Sequence, residues 1–223
     1  MALRTWAAEF GGGTVATTMA AINARHPWSH NDHFHSWILA NLPKRRRAAL
    51  DVGCGRGELV ATLAPMFDTV HGNDRDEEML RHAGARCAGL PNVTIDGSSW
   101  NEAAGPFDLI TMVAVLHHLD VADALDAVRR LLGPDGRFLA VGLAPPRSAT
   151  DHLWDLASAV TNPLIGYVKH PWPAAEAPDT AVPVKDPTMP LDDLREIVLD
   201  VMPGATIRRR LGFRHTIAWT KPT

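Results

Sequence analysis

The sequence predicts an α/β protein, a mostly parallel β-sheet with helices on both faces. Three observations carry that prediction. Short apolar runs alternate with helical stretches across residues 44–144. The first run ends in a glycine-rich turn that opens a helix, and the second ends in an acid, Asp74. Strands alternating with helices imply right-handed crossover units and a sheet covered on both sides.

Each element has its own local signal. Ala48–Val52 is a short apolar run closed by glycines, the pattern of a buried strand. Helical periodicity follows over Glu58–Met66, then a second strand over Thr69–Asn73. Asp76 to Ala88 reads as a helix, with Asp76, Glu77 and Glu78 in its first turn, where acids favour the positive end of the dipole. Val93–Ile95 is a third strand and Phe107–Val113 a fourth. Asp120 to Leu132 carries apolar residues at Val121, Ala124, Leu125, Val128, Leu131 and Leu132, one stripe of a helix. The Pro134-Asp135-Gly136 turn leads into a fifth strand over Arg137–Leu143. The C-terminal part reads as a helix over Leu191–Val201 and closing strands over Ala205–Leu211 and Arg214–Thr220.

Composition narrows the function. A chain of 223 residues, 46% hydrophobic, has room for one substantial core and not for two large ones. We expect a single domain with four zones: a helical N-terminal cap (1–43), a core (44–144), a proline- and aromatic-rich insertion (145–190) and a closing part (191–223). A net charge of −3 gives no footprint for nucleic acid or an anionic membrane. The basic run Lys44-Arg45-Arg46-Arg47 adjoins a strand and reads as its solvated entrance. Two cysteines, Cys54 and Cys87, fit a reducing compartment. With no signal-peptide pattern and no apolar stretch near the roughly 20 residues of a spanning helix, the expectation is a cytoplasmic protein that avoids membranes.

The turn Asp51-Val52-Gly53-Cys54-Gly55-Arg56-Gly57 removes side chains where the backbone bends and where a ligand approaches the main chain. Two nucleotide-type cofactors compete for it. A dinucleotide site wants a third Gly or Ala, and this chain has Glu58 there. A carboxylate is unwelcome beside a pyrophosphate and well tolerated beside a cationic sulfonium or ammonium. Asp74, at the end of the second strand, suits the ribose hydroxyls of either cofactor.

These segments resemble the class I, Rossmann-like, S-adenosylmethionine (SAM)-dependent methyltransferases. Leu50–Gly57 is similar to the family's first motif, and Gly72–Leu80 to the segment with the ribose-binding acid. Phe107–Ile110 with Leu116-His117-His118-Leu119 resembles strand four and its exit, and Leu131–Leu139 the turn into strand five. The resemblance spans residues 44–144; the His- and Trp-rich segment 26–37 and Ile217-Ala218-Trp219-Thr220-Lys221-Pro222 also look like a bacterial, actinobacterial group of small-molecule methyltransferases. It implies a seven-stranded sheet of order 3-2-1-4-5-7-6 with strand seven antiparallel. It also implies SAM as cofactor and S-adenosylhomocysteine as product. Asp51, Gly53, Cys54, Gly55 and Gly57 then lie against the methionine part, Asp74 holds the ribose, and Asn73 and Arg75 flank the adenine. Either Asp96 or Ser98, with Gly97 between them, meets the adenine amino group, Asp96 being favoured on chemistry. Val113, closing strand four, completes the set.

Methyl transfer from a sulfonium needs alignment, exclusion of water and, for a protonated acceptor, a base. His117 and His118 at the strand-four exit are the candidate bases. The His-rich segment 30–35 lacks metal-ligand spacing, so no metal is expected; Trp28, His33 and Trp37 suit a lid over the cofactor. Trp37 and Trp28 are also candidate acceptor contacts, with Trp154, Tyr167, His170 and Trp172 of the insertion. The expected partner is a small-molecule acceptor, O- or N-directed, bound by a monomer or homodimer. The alternatives are an NAD-dependent oxidoreductase and a non-catalytic SAM-binding protein.

Overall fold

The computed structural model describes residues 34–147, 151, 154, 158, 187–211 and 214–223. The chain divides into two compact units. One comprises Asn31–Pro145, Lys185–Arg209 and Arg214–Thr223; the other comprises Met1–His30, Pro146–Val184 and Arg210–Phe213. In the second unit Asp151, Trp154 and Ser158 are helical, and the Arg147 amide donates to the Asp151 carboxylate at 2.9 Å.

The described elements run α1 (His35–Leu39), β1 (Ala48–Val52), α2 (Glu58–Leu63), β2 (Thr69–Asn73), α3 (Glu77–Cys87), β3 (Val93–Asp96) and β4 (Phe107–Val113). They continue with α4 (Val121–Leu131), β5 (Leu132–Gly142), α5 (Leu191–Val201), β6 (Thr206–Arg210) and β7 (Arg214–Thr220). Short 3₁₀ turns lie at Ala64–Met66, Trp100–Glu102 and Leu116–His118. The seven strands form one sheet of order β3-β2-β1-β4-β5-β7-β6, as the family resemblance implies. β2, β1, β4 and β5 each pair in parallel with their predecessor in that order, and β7 runs antiparallel to β5.

Strand periodicity sorts the core onto the two faces of the sheet. Leu50, Ile110, Phe138 and Ile217 join α4 and α5 residues such as Leu125, Leu194 and Val198 in one cluster. Their neighbours in sequence, Ala49, Leu109 and Leu139, join Leu59, Leu63, Ala83 and Cys87 of α2 and α3 in the other. Full burial of each large side chain contributes about 1.5–3 kcal/mol. The helices start where the sequence places their acids. Asp76 caps α3, accepting the Glu78 and Met79 amides at 2.8 and 3.1 Å, and Asp120 caps α4 through the Asp123 amide at 3.1 Å.

Two boundaries differ from the sequence reading. The helix predicted over 58–66 tightens to 3₁₀ at Ala64–Met66, where Pro65 has no N–H to continue the α ladder. Strand five begins at Leu132, before the predicted turn, because Leu132 already pairs with Phe107 of β4. The basic run also does more than meet solvent. The Arg45 guanidinium pairs with the buried Asp108 carboxylate at the start of β4 and donates to the Pro134 carbonyl at 2.8 Å. The Arg47 amide takes the other Asp108 oxygen at 2.7 Å.

Candidate cofactor and acceptor site

The site lies past the C-terminal ends of the parallel strands, where open α/β sheets bind ligands. Gly53 bends the chain with φ +67°, and a Cβ there would lie 2.2 Å from the Val115 side chain. Gly55, with φ +54°, is different: a Cβ there would meet nothing within 4 Å. The loop therefore needs Gly53 for internal packing and presents Gly55 to open space. Asp74 holds this bend. Its Oδ2 accepts the Gly55 N–H at 2.8 Å and its Oδ1 accepts the Asp76 N–H at 3.0 Å.

Asp51 sits beneath the loop, 3% exposed. It faces Thr111 in register across β1 and β4, and the Thr111 hydroxyl donates to Asp51 Oδ1 at 2.6 Å. Among the described residues no cation pairs with it. Burial pushes its pKa up to about 7, the Thr111 hydrogen bond opposes that, and the charges of Asp74 and Glu58 add to it. Burial also pushes the Cys54 thiol up, with Asp51 and Asp74 adding, so Cys54 packs as a neutral thiol. Glu58, which argued against a dinucleotide, is paired with Arg86 at 2.7 Å, so part of its charge is spoken for. Asp51 has no such ion pair among the described residues.

At the end of β3, Asp96 is already engaged. Oδ1 accepts the Ser98 amide at 3.0 Å and the Ser98 hydroxyl at 2.6 Å, and Oδ2 meets His71 Nε2 at 2.9 Å. Burial alone would raise its pKa; the Ser98 and His71 interactions outweigh that and hold it below the ordinary carboxylate range. Asn73 ties the same loop down, donating to the Ser98 carbonyl at 2.7 Å and the Asp96 carbonyl at 3.2 Å. Gly97 packs against Leu80 and the Asp74 carbonyl, so it belongs to the same turn. Arg75 is exposed beside Asp74.

Past β4 the chain turns sharply. Ala114 takes φ +59°, rare for a residue with a Cβ, and is held there by its N–H on the Val141 carbonyl at 2.7 Å. The 3₁₀ turn that follows presents His117 and His118 with ring centroids 4.1 Å apart. His117 lines a cavity of about 70 Å³ together with Leu116, Leu143, Met189, Leu194 and His215; His118 does not. His215 and Thr111 were not singled out by sequence. Thr111 interrupts the apolar run Leu109–Val113, a signal the sequence carries; His215, between Arg214 and Thr216, has no such local signal.

The remaining expected contacts are dispersed. Val113 and Trp37 pack against the cluster formed with α2 and α3, and do not line the cavity. Trp154 is 39% exposed in the other unit. Trp28, His33, Tyr167, His170 and Trp172 lie outside the described residues. Among the described residues no group of three or more His, Cys, Asp or Glu is arranged to hold a metal, and no helix is long and apolar enough to cross a membrane.

Residues 50–138 match the family model described as "Methyltransferase domain". An uncharacterized methyltransferase of Mycobacterium tuberculosis is 34% identical over 200 residues, 88% of this chain and 98% of that one. The chain belongs to the class I SAM-dependent methyltransferases. A trans-aconitate 2-methyltransferase of Methylobacterium radiotolerans is 34% identical over 138 residues, 60% of this methyltransferase and 52% of that enzyme. In fold, the methyltransferase is similar to the magnesium protoporphyrin IX methyltransferase of Synechocystis solved with bound S-adenosylhomocysteine. The TM-score is 0.55 at 18% identity, over 97% of this chain and 92% of that one.

Proposed function

We propose that the protein transfers a methyl group from SAM to a small-molecule acceptor. One observation supports the reading: Asp51, a buried acid with no cation partner among the described residues, stands in the strand that runs into the glycine turn, where Gly55 leaves space open. That setting suits a ligand bearing an ammonium and a sulfonium. SAM, when bound, supplies an electrophilic methyl group on a sulfonium.

The chain's own residues divide the remaining work. Asp51 neutralises the amino-acid end, with Thr111 fixing its orientation. Gly53, Cys54, Gly55 and Gly57 line the approach, and Gly55 leaves it clear. Asp74 offers its remaining lone pairs to the ribose, having used one on each oxygen for the loop. Asp96 Oδ2 keeps one lone pair for the adenine amino group, with Asn73, Gly97 and Ser98 shaping that end and Arg75 and Val113 flanking it. His117, at the cavity, takes the proton from a protonated acceptor, with His118 beside it. The small size of the cavity and the acceptor named for the Methylobacterium relative support a small molecule.

Calorimetric titration of the purified protein with SAM, S-adenosylhomocysteine and NAD tests the cofactor. SAM at a hundredfold its Kd stabilises the fold by about 2.7 kcal/mol. Stabilisation by NAD and not by SAM would refute the reading. Transfer of labelled methyl groups into a metabolite extract tests catalysis.

A further inference from the structure

β2 and β3 end side by side in parallel register, with His71 opposite Thr94 and Asn73 opposite Asp96. Residues two apart on a strand share a face, so His71, Asn73 and Asp96 stand on one face at this end of the sheet. His71 sits in the middle of β2 with its side chain 19% exposed, and its Nε2 meets Asp96 Oδ2 at 2.9 Å. Burying most of an imidazole in a strand costs more than burying an aliphatic side chain unless its ring N–H finds a partner. Asp96 is that partner.

The acid is held at two points. Ser98 holds Oδ1 through its amide at 3.0 Å and its hydroxyl at 2.6 Å, with the Asn73 side-chain amide farther off at 3.4 Å. These bonds all fall on one oxygen and act as a pivot. His71 holds the other oxygen, so its bond sets the rotation of the carboxylate about that pivot. A carboxylate has about four acceptor positions, and after these contacts one on Oδ2 remains. The Asp96 side chain is 40% exposed and receives several hydrogen bonds, so it is ionised at neutral pH and has no proton to give. The proton of the pair therefore sits on His71 Nε2, and the remaining position on Oδ2 can only accept. A site that can only accept selects a donor.

We propose that His71 is a positioning residue that aims Asp96 Oδ2 at the exocyclic amino group of the cofactor's adenine, and so sets selectivity for a 6-aminopurine. This rests on the methyltransferase reading above, with Asp96 as the acid at the adenine. His71 acts through Asp96 and takes no part at the reacting atoms. Without its N–H the carboxylate keeps the Ser98 bonds on Oδ1 but is free to turn about them. The acceptor then has no fixed direction, and the gain from the amino group is lost. A base without that amino group has nothing to lose.

The test is calorimetric titration of the full chain with S-adenosylhomocysteine and with its analogue carrying purine in place of adenine. The analogue lacks only the exocyclic amino group. The parent binds it about 10- to 100-fold more weakly, the loss of one hydrogen bond to a charged group. In His71→Ala that ratio falls toward unity because S-adenosylhomocysteine binds more weakly. The Kd for the purine analogue stays unchanged, which also shows that the variant is folded. His71→Gln, whose amide reaches the position of Nε2, restores most of the ratio, and His71→Asn, with its shorter side chain, does not. An unchanged ratio in His71→Ala, or an equal loss for both ligands, gives the histidine a packing role only and overturns the proposal. A parent that binds both ligands equally well removes Asp96 from the adenine and overturns the proposal, while methyl transfer from SAM still stands. Binding of neither ligand overturns the cofactor reading, and this proposal with it.

Discussion

The Asp74 carboxylate accepts the Gly55 N–H at 2.8 Å, so the acid that closes β2 also fixes the bend that follows β1. On the proposed reading, ligand contact and loop geometry are one unit, and Asp74→Ala removes an acceptor from two backbone amides and from the ribose. The expected loss of SAM affinity is about 10- to 100-fold, matching a hydrogen bond to a charged group at ~1.5–3 kcal/mol. Gly55→Leu separates ligand space from folding. Its side chain enters the open region, the left-handed backbone costs about 1–2 kcal/mol, and the fold persists while SAM binding is lost. Calorimetry and thermal melting on both variants check this, and full SAM affinity in either would contradict the proposed cofactor site.

If Asp51 holds the cofactor as proposed, stability and cofactor affinity should respond to pH in opposite directions. Its folded pKa, about 7, lies above the ordinary 3.8, so the folded chain binds the extra proton between those values. Stability from this group is full below the lower value and is lost as pH rises through 7, by at most about 1.4 kcal/mol per pH unit. With Asp51 in its proposed role SAM needs the ionised carboxylate, so the expected affinity rises over the same interval and binding releases a proton. Asp51→Asn should flatten the difference, being more stable than the parent at pH 8 and unable to hold SAM. Melting curves from pH 5 to 8, with calorimetry in two buffers of different ionisation enthalpy, provide the check. A parent and variant whose stabilities run parallel across that range would contradict it.

Much of this was legible because it is local. The strands announce themselves as apolar runs, the helices by Asp76 and Asp120 at their caps, and the bend by glycines after β1. What sequence reasoning missed depends on pairings between distant residues. Thr111 matters because register sets it beside Asp51, and His215 because antiparallel pairing lays it on Gly142. Asp96 closes β3, one residue beyond the strand the apolar run predicts, and a single sequence gives no sign that Ser98 and His71 already occupy it. The role of Arg45 was hidden for the same reason, since Asp108 lies 63 residues away.

That Arg45–Asp108 pair makes a prediction about stability alone. The Asp108 side chain is 5% exposed and the Arg45 side chain 42% exposed, so the acid is the member that depends on its partner. Arg45→Ala leaves the carboxylate with the Arg47 amide as its remaining hydrogen bond among the described residues and frees the Pro134 carbonyl. The expected cost is about 1–3 kcal/mol, with SAM affinity unchanged. Arg45→Lys recovers only part, because an ammonium cannot reproduce the guanidinium fork that spans both acceptors. Urea unfolding of the three chains measures it.

His117 and His118 are adjacent, their rings in tilted contact, yet their settings separate their roles. Only His117 borders the cavity with His215, and Ala114, held at φ +59° by the Val141 carbonyl, sets the turn that aims it there. His117→Ala should therefore lower kcat by about 10²–10⁴-fold on an acceptor that arrives protonated, while SAM binding persists. His118→Ala should act mainly through the packing of its neighbour, with a loss below about tenfold. A base role also shapes the pH profile: raising the pH, which ionises the acceptor in solution, should shrink the His117→Ala defect and leave that of His118→Ala unchanged. Rates from pH 6 to 9 for both variants decide the assignment. Equal defects with the same pH dependence would mean that the pair acts through structure and that neither imidazole takes the proton.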